Sequence, residues 1–214
     1  MFGTHNLALF LMSAITISLL PGPSTMYIIG RSISQGRAAG ISSVLGISTG
    51  SLCHVIAVAF GLSTLLAASQ GAFQVIKSLG AAYLIYLGVQ TLRARSVTHL
   101  AAEDAPAPAS TRRVYAQGIL TQLFNPKVSL FFLAILPQFV VPSRANSPLP
   151  FLFLGILFIG MDTLWFSFVA SSSALLTGWL RRNTRFQHGL KWVTGTLYIG
   201  LGLNLLRLRM RTAS

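Results

Sequence analysis

The stretches LLPGPSTMYII at residues 19–29 and QLFNPKVSLFF at residues 122–132 each set proline inside a long apolar run. Proline has no backbone N–H to offer the carbonyl four residues earlier. Pro21, Pro23 and Pro126 therefore release the carbonyls of Ile17, Leu19 and Gln122. In hydrocarbon such groups need water, a substrate or a neighbouring helix as partner. Each break also begins a new half-helix. Its first amides, near Ser24–Thr25 and Val128–Ser129, are expected to be free, and the positive end of the helix dipole there would attract a carboxylate. One proline would pass as a packing kink. Pro21-Gly22-Pro23 together with Asn125-Pro126-Lys127 exceeds what packing requires.

The surroundings of these breaks belong to a membrane. Of 214 residues, 53% are hydrophobic and 9% are charged, against about 25% charged in a typical soluble domain. Charge that sparse cannot clothe a water-exposed surface. A span needs roughly 20 mostly apolar residues, and six runs qualify: His5–Ile29, Ala39–Ala67, Ala72–Leu92, Val114–Val141, Leu149–Gly178 and Leu190–Leu206. The expected fold is an all-α membrane bundle of six helices, with the first and fourth broken. The first run has no basic residue before it, so it reads as a retained span rather than a signal peptide.

The net charge of +13 would suggest nucleic acid in a soluble protein. Here the basic residues lie between apolar runs, where they signal topology and meet anionic headgroups. Nucleic acid is not an expected partner; the lipid bilayer is. Connections one, three and five hold ten Lys and Arg, including Arg31, Arg37, Arg93 and Arg181, against five on the opposite side. The positive-inside rule places those connections in the cytoplasm and both termini outside, with the basic tail Arg207, Arg209 and Arg211 as the exception. Trp179 and Trp192 flank the fifth connection as an interfacial belt would.

The halves resemble each other. Gly80, Tyr83, Gly88 and Arg93 of the third run match Gly195, Tyr198, Gly202 and Arg207 of the sixth, and the breaks fall in runs one and four. A polar, Ala/Pro-rich linker at 94–113 separates repeat one (5–93) from repeat two (114–208). Three is an odd number of spans, so equivalent helices run in opposite directions. Paired breaks in an inverted repeat point to a central transport site. Coincidence is the competing reading, since Gly and Pro are common in membrane helices.

Three ionisable residues fall near mid-span. Lys127 is 13 residues from Val114 and 14 from Val141, which is roughly 20 Å from either end. Asp162 is the one acid in any span, and His54 is the third group. Burying a charge at the bilayer centre costs about 2.5–3.5 kcal/mol even on the mild scale, so such residues default to function. Asp162 can bind an ammonium, carry a proton or neutralise Lys127. His54 is either a hydrogen-bonded core residue or a proton relay. Cys53 beside it makes no metal site, because adjacent helical residues diverge by about 100°. No metal or other cofactor is expected. Gly46 and Gly50 form a small-residue face that can seat two helices of one chain or a dimer interface. Walker, nucleophile-elbow and zinc signatures are absent from the sequence, so the reading is a transporter and not an enzyme.

These segments resemble the lysine-exporter (LysE) superfamily, nearest its homoserine/threonine efflux (RhtB-type) branch. The resemblance rests on LLPGPSTMYIIGRSISQGRAAGISSVLGISTG, GAAYLIYLGVQTLR and QGILTQLFNPKVSLFFLAILPQFV. It implies a bacterial inner-membrane exporter of amino acids, driven by protons. Its substrate residues map onto Pro21, Gly22, Pro23, Ser24, Asn125, Pro126, Lys127 and Asp162, with Asp162 and His54 as proton-coupling groups. Some relatives carry an acid in the second span where this chain has Ser51 and His54, which argues against cationic substrates. Export of another small solute or cation, and passive conduction, are the alternatives.

Overall fold

The computed structural model describes residues 3–62, 70–93, 109–182 and, further on, 188–189, 192–193, 195–196, 199–200 and 202–203. Among these the chain is helical, apart from an isolated antiparallel bridge between Thr4 and Val140. The elements are α1 (Leu7–Leu19), α2 (Pro23–Ala57), a π-turn (Val58–Leu62), α3 (Gln70–Arg93), α4 (Thr111–Leu123) and α5 (Pro126–Leu130). α5 runs on through a π segment (Phe131–Ile135) and a 3-10 turn (Leu136–Phe139), and α6 (Leu149–Arg182) follows. The residues described from 188 to 203 are helical. The linker at 94–108, Tyr198, Arg95, Arg185, Lys191 and the tail arginines lie outside the described residues.

Both breaks restart by the same local grammar. Gly22 is extended and Pro23 opens α2; Asn125 is extended and Pro126 opens α5. Proline at the first helical position is pre-set for a helix and loses no bond there. α4 and the helical run from Pro126 to Phe139 meet at 47°, together long and apolar enough for one bent span. Asn125 caps α5 by accepting from the Lys127 amide at 3.1 Å.

The sequence places the first turn between Ile29 and Ala39. The helix instead continues to residue 35, and the whole reversal occurs at Gly36, with φ 83° and ψ 179°. Residues eight apart on a straight helix stand about 12 Å apart, yet the Cβ position of Gly40 falls against the Ser32 side chain. α2 is therefore a helical hairpin with arms 23–35 and 37–57. Arg31, read from sequence as a topology signal in a loop, is 4% exposed. It donates to Gln35 Oε1 at 2.6 Å and Gln117 Oε1 at 2.7 Å and lies over the Tyr27 ring.

The helices pack on apolar and small residues. Phe10, Ile17, Phe131, Phe132, Phe139 and Phe158 form the larger core beside the breaks. Ile28, Val44, Ile47 and Phe166 join both arms of α2 to α6. The Gly46–Gly50 face seats α4 of the same chain, meeting Tyr115, Gly118 and Gln122. Gly88 of α3 packs against Gly195 and Ile199, and Gly202 against Ala81 and Ile85. The matching glycines of the third and sixth runs thus bring those two segments into backbone contact. Large apolar residues such as Met12, Phe60, Leu79 and Leu164 face outward, as a bundle immersed in lipid requires.

A candidate transport site where the two breaks meet

The breaks lie together, joined through Lys127. This lysine belongs to the second break but extends into the first, where its Nζ donates to Ile17 O at 3.0 Å and Leu20 O at 2.8 Å. Its side chain runs along Gly22, whose Cβ position would lie 3.3 Å from both Cε and Nζ. A residue larger than glycine there would press on the ammonium.

The carbonyls released by proline acquire partners from the mid-span ionisable groups. Ile17 O takes Lys127, and Gln122 O lies 3.1 Å from His54 Nε2. Gln122 O also accepts the Asn125 amide at 3.0 Å. His54 stacks on Phe132 at 6.1 Å between centroids. The histidine therefore caps an orphaned carbonyl, whatever else it does.

One expectation needs correction. The amides of the second half-helix are not free: Val128 and Ser129 both donate to Asn125 O, at 3.2 and 3.1 Å. Asparagine at the cap satisfies this end from within. The first break differs, because Gly22 has no side chain with which to cap Ser24 and Thr25. The two half-helices thus have unequal capacity for an anion.

Asp162 on α6 is 5% exposed. The Ser18 hydroxyl and the Lys127 ammonium are its polar neighbours. The acid and the lysine do not form a direct ion pair; the lysine hydrogen-bonds backbone instead. Simple neutralisation of Lys127 by contact with Asp162 is therefore not the arrangement seen. Ser18 Oγ and Thr25 Oγ1, on either side of the first break, are buried without hydrogen-bond partners.

A buried chain of uncharged polar groups escaped the sequence reading. Asn125 Nδ2 donates to Ser24 Oγ at 2.8 Å, Ser24 Oγ donates to Gln122 Oε1 at 2.5 Å, and Gln122 Nε2 donates to Ser51 Oγ at 2.6 Å. It ties break one, break two and the second arm of α2 together. Gln122 is wholly buried. Ser51 and His54 are three residues apart, so they share a helix face and both reach Gln122. The available signal was a glutamine three residues before Asn125 within an otherwise apolar stretch.

The arrangement holds a cation on carbonyls, a carboxyl nearby, one uncapped half-helix and several uncommitted hydroxyls. Comparison with known proteins places it. The LysE type translocator family matches residues 15–209. An uncharacterized membrane protein of Pseudomonas aeruginosa is 33% identical over 199 residues, covering 92% of each chain. An uncharacterized membrane protein of Vibrio cholerae is 32% identical over 202 residues, covering 94% of this chain and 96% of the relative. A homoserine/homoserine lactone efflux protein of Salmonella typhimurium is 30% identical over 193 residues, covering 90% of this chain and 92% of the relative. No solved structure matches. With most of its length matched and its helices apolar outside, the chain belongs to the LysE-type translocator family, as a multi-pass membrane transport protein.

Proposed function

We propose that this protein exports small amino acids or their derivatives, of the homoserine and threonine kind, across the bacterial inner membrane in exchange for protons. The reading rests on one observation above all: Lys127 of the second break is held by the carbonyls of the first, beside Asp162. A zwitterion fits such a site by exchange of partners. The substrate carboxylate takes Lys127 and the uncapped amides of Ser24 and Thr25, lining the face left open by Pro21, Gly22 and Pro23. The substrate ammonium takes the vacated carbonyls of Ile17 and Leu20 and the carboxylate of Asp162. Asn125 and Pro126 keep Lys127 aimed at the first break. Asp162 exchanges the proton, with His54 as relay.

The two halves act as inverted three-span repeats (5–93 and 114–208) that rock about this site. The shared start of α2 and α5, an extended residue followed by proline, supports the repeat. So does the contact between Gly88 and Gly195.

The test is efflux of preloaded neutral amino acids from proteoliposomes, with and without an imposed pH gradient. Gradient-dependent, saturable efflux that is lost in Lys127→Ala and in Asp162→Asn is the expected result. Wild-type efflux in both variants, at normal expression, would remove the site assignment. Efflux that never saturates would indicate a channel.

A further inference from the structure

We propose that the groove between α1 and α6 is a binding site, open to the bilayer, for a small amphipath bearing a carbonyl on an apolar chain. Ile15, Ser18 and Leu19 form one wall, at the spacing of a single face of α1. Met161, Leu164, Trp165 and Phe168 form the other, on one face of α6. The cavity measures about 410 Å³, within the roughly 300–1,000 Å³ of small-molecule sites. Its rim faces outward: Ile15 and Leu19 are about half exposed, Phe168 is 58% exposed and Leu164 is 74% exposed. On a membrane helix that outward surface is hydrocarbon.

Two polar atoms interrupt the apolar lining. Ser18 Oγ and Trp165 Nε1 are both buried and neither has a hydrogen-bond partner. A helical serine ordinarily bonds the carbonyl four residues back. Ser13, Ser34 and Ser43 do so here, at 2.8–2.9 Å. Ser18 does not, and remains available to the groove. The indole N–H can only donate, and hydrocarbon holds no water to accept from it. A ligand that satisfies this wall must bring an acceptor without a charge, and the rest of it must be apolar.

Depth selects among such molecules. Trp165 is 16 residues from Leu149 and 17 from Arg182, the middle of α6. The ester carbonyls of a phospholipid stay near the interface, about 15 Å from the midplane of a 30 Å core. A membrane lipid therefore cannot offer its carbonyl at this level, whereas a freely diffusing ester or amide can. At the inner end of the groove, Ser18 is the polar neighbour of Asp162, so the bound carbonyl lies one side chain from the breaks. Onward export of that molecule rests on the exporter reading; its binding does not.

The probe is a short dibrominated alkyl ethyl ester, added to full-length protein in nanodiscs. Trp179→Phe and Trp192→Phe leave Trp165 as the one indole. Saturable quenching of Trp165 is expected, reversed by the unbrominated ester and weakened at least ten-fold by Ser18→Val. Ile15→Phe, on a half-exposed position that leaves the core untouched, should weaken it similarly by filling the groove. Quenching that rises linearly, equally with a dibrominated alkane and in both variants, would mean bulk hydrocarbon only and overturns the proposal. Absence of quenching overturns it too, a second copy of the chain covering the groove included. Saturable quenching without amino-acid efflux would sink the exporter reading and leave this site standing; efflux without quenching would do the reverse.

Discussion

Removing Gln122 should loosen the joint between the breaks, by an amount that follows from its bonds. Gln122→Leu deletes the acceptor of Ser24 Oγ and the donor to Ser51 Oγ. Each neutral bond contributes about 1 kcal/mol net, and an orphaned buried hydroxyl costs about 1–3 kcal/mol more. Ser51 can turn to its own helix backbone as other serines here do, so the orphan is mainly Ser24. The expected loss is therefore about 2–4 kcal/mol. Ser24→Ala removes the bond to Gln122 and that from Asn125, and should cost a similar amount. Because the two residues share a bond, the double variant should be less destabilised than the sum, with a coupling of about 1–2 kcal/mol. Equilibrium unfolding in mixed micelles across the four proteins measures this. Strictly additive losses, with coupling below about 0.5 kcal/mol, would show that the network does not tie break one to break two.

Three other perturbations have definite expectations. Gly36→Ala places a side chain where φ is 83°, in open space, so it should cost the left-handed backbone penalty of about 1–2 kcal/mol and no more; a larger loss of thermal stability would count against the one-residue hairpin. Gly46→Val drives a side chain into the Tyr115 carbonyl, and should lower stability by about 1–3 kcal/mol or more and reduce the folded fraction seen by size exclusion. Gly22→Ala meets only the flexible tip of Lys127, so thermal stability should hold while efflux falls; unchanged efflux would show that Lys127 need not lie along Gly22.

Proline bookkeeping carried much of the site from sequence alone. Ile17 and Gln122 were identified as orphaned acceptors because a missing N–H is a covalent fact, independent of fold. The structure gives both to residues already singled out for charge, Lys127 and His54. The donors were not legible, since which side chain reaches a carbonyl more than 60 residues away depends on packing. The same limit hid Gln122, Ser24 and Ser51 as a network. The free amides expected at Val128 and Ser129 failed for a local reason: asparagine before proline is itself a strong cap. Arg31 was misplaced because a Gly-Arg-Ser sequence reads as a loop, whereas its guanidinium finds Gln117 and Tyr27 inside the fold.

The lysine shared between the breaks also bears on how the protein is made. Chains emerge N-terminus first, at about 5–20 residues per second. The carbonyls of Ile17 and Leu20 are thus synthesised more than a hundred residues before the ammonium they receive. Lys127 enters the bilayer with its acceptors already in place, and never has to wait there as a bare charge. The reverse order would be costly. If the second half were translated alone, the lysine would have nowhere to dock, and insertion of its span would stall at the interface until the first half was supplied.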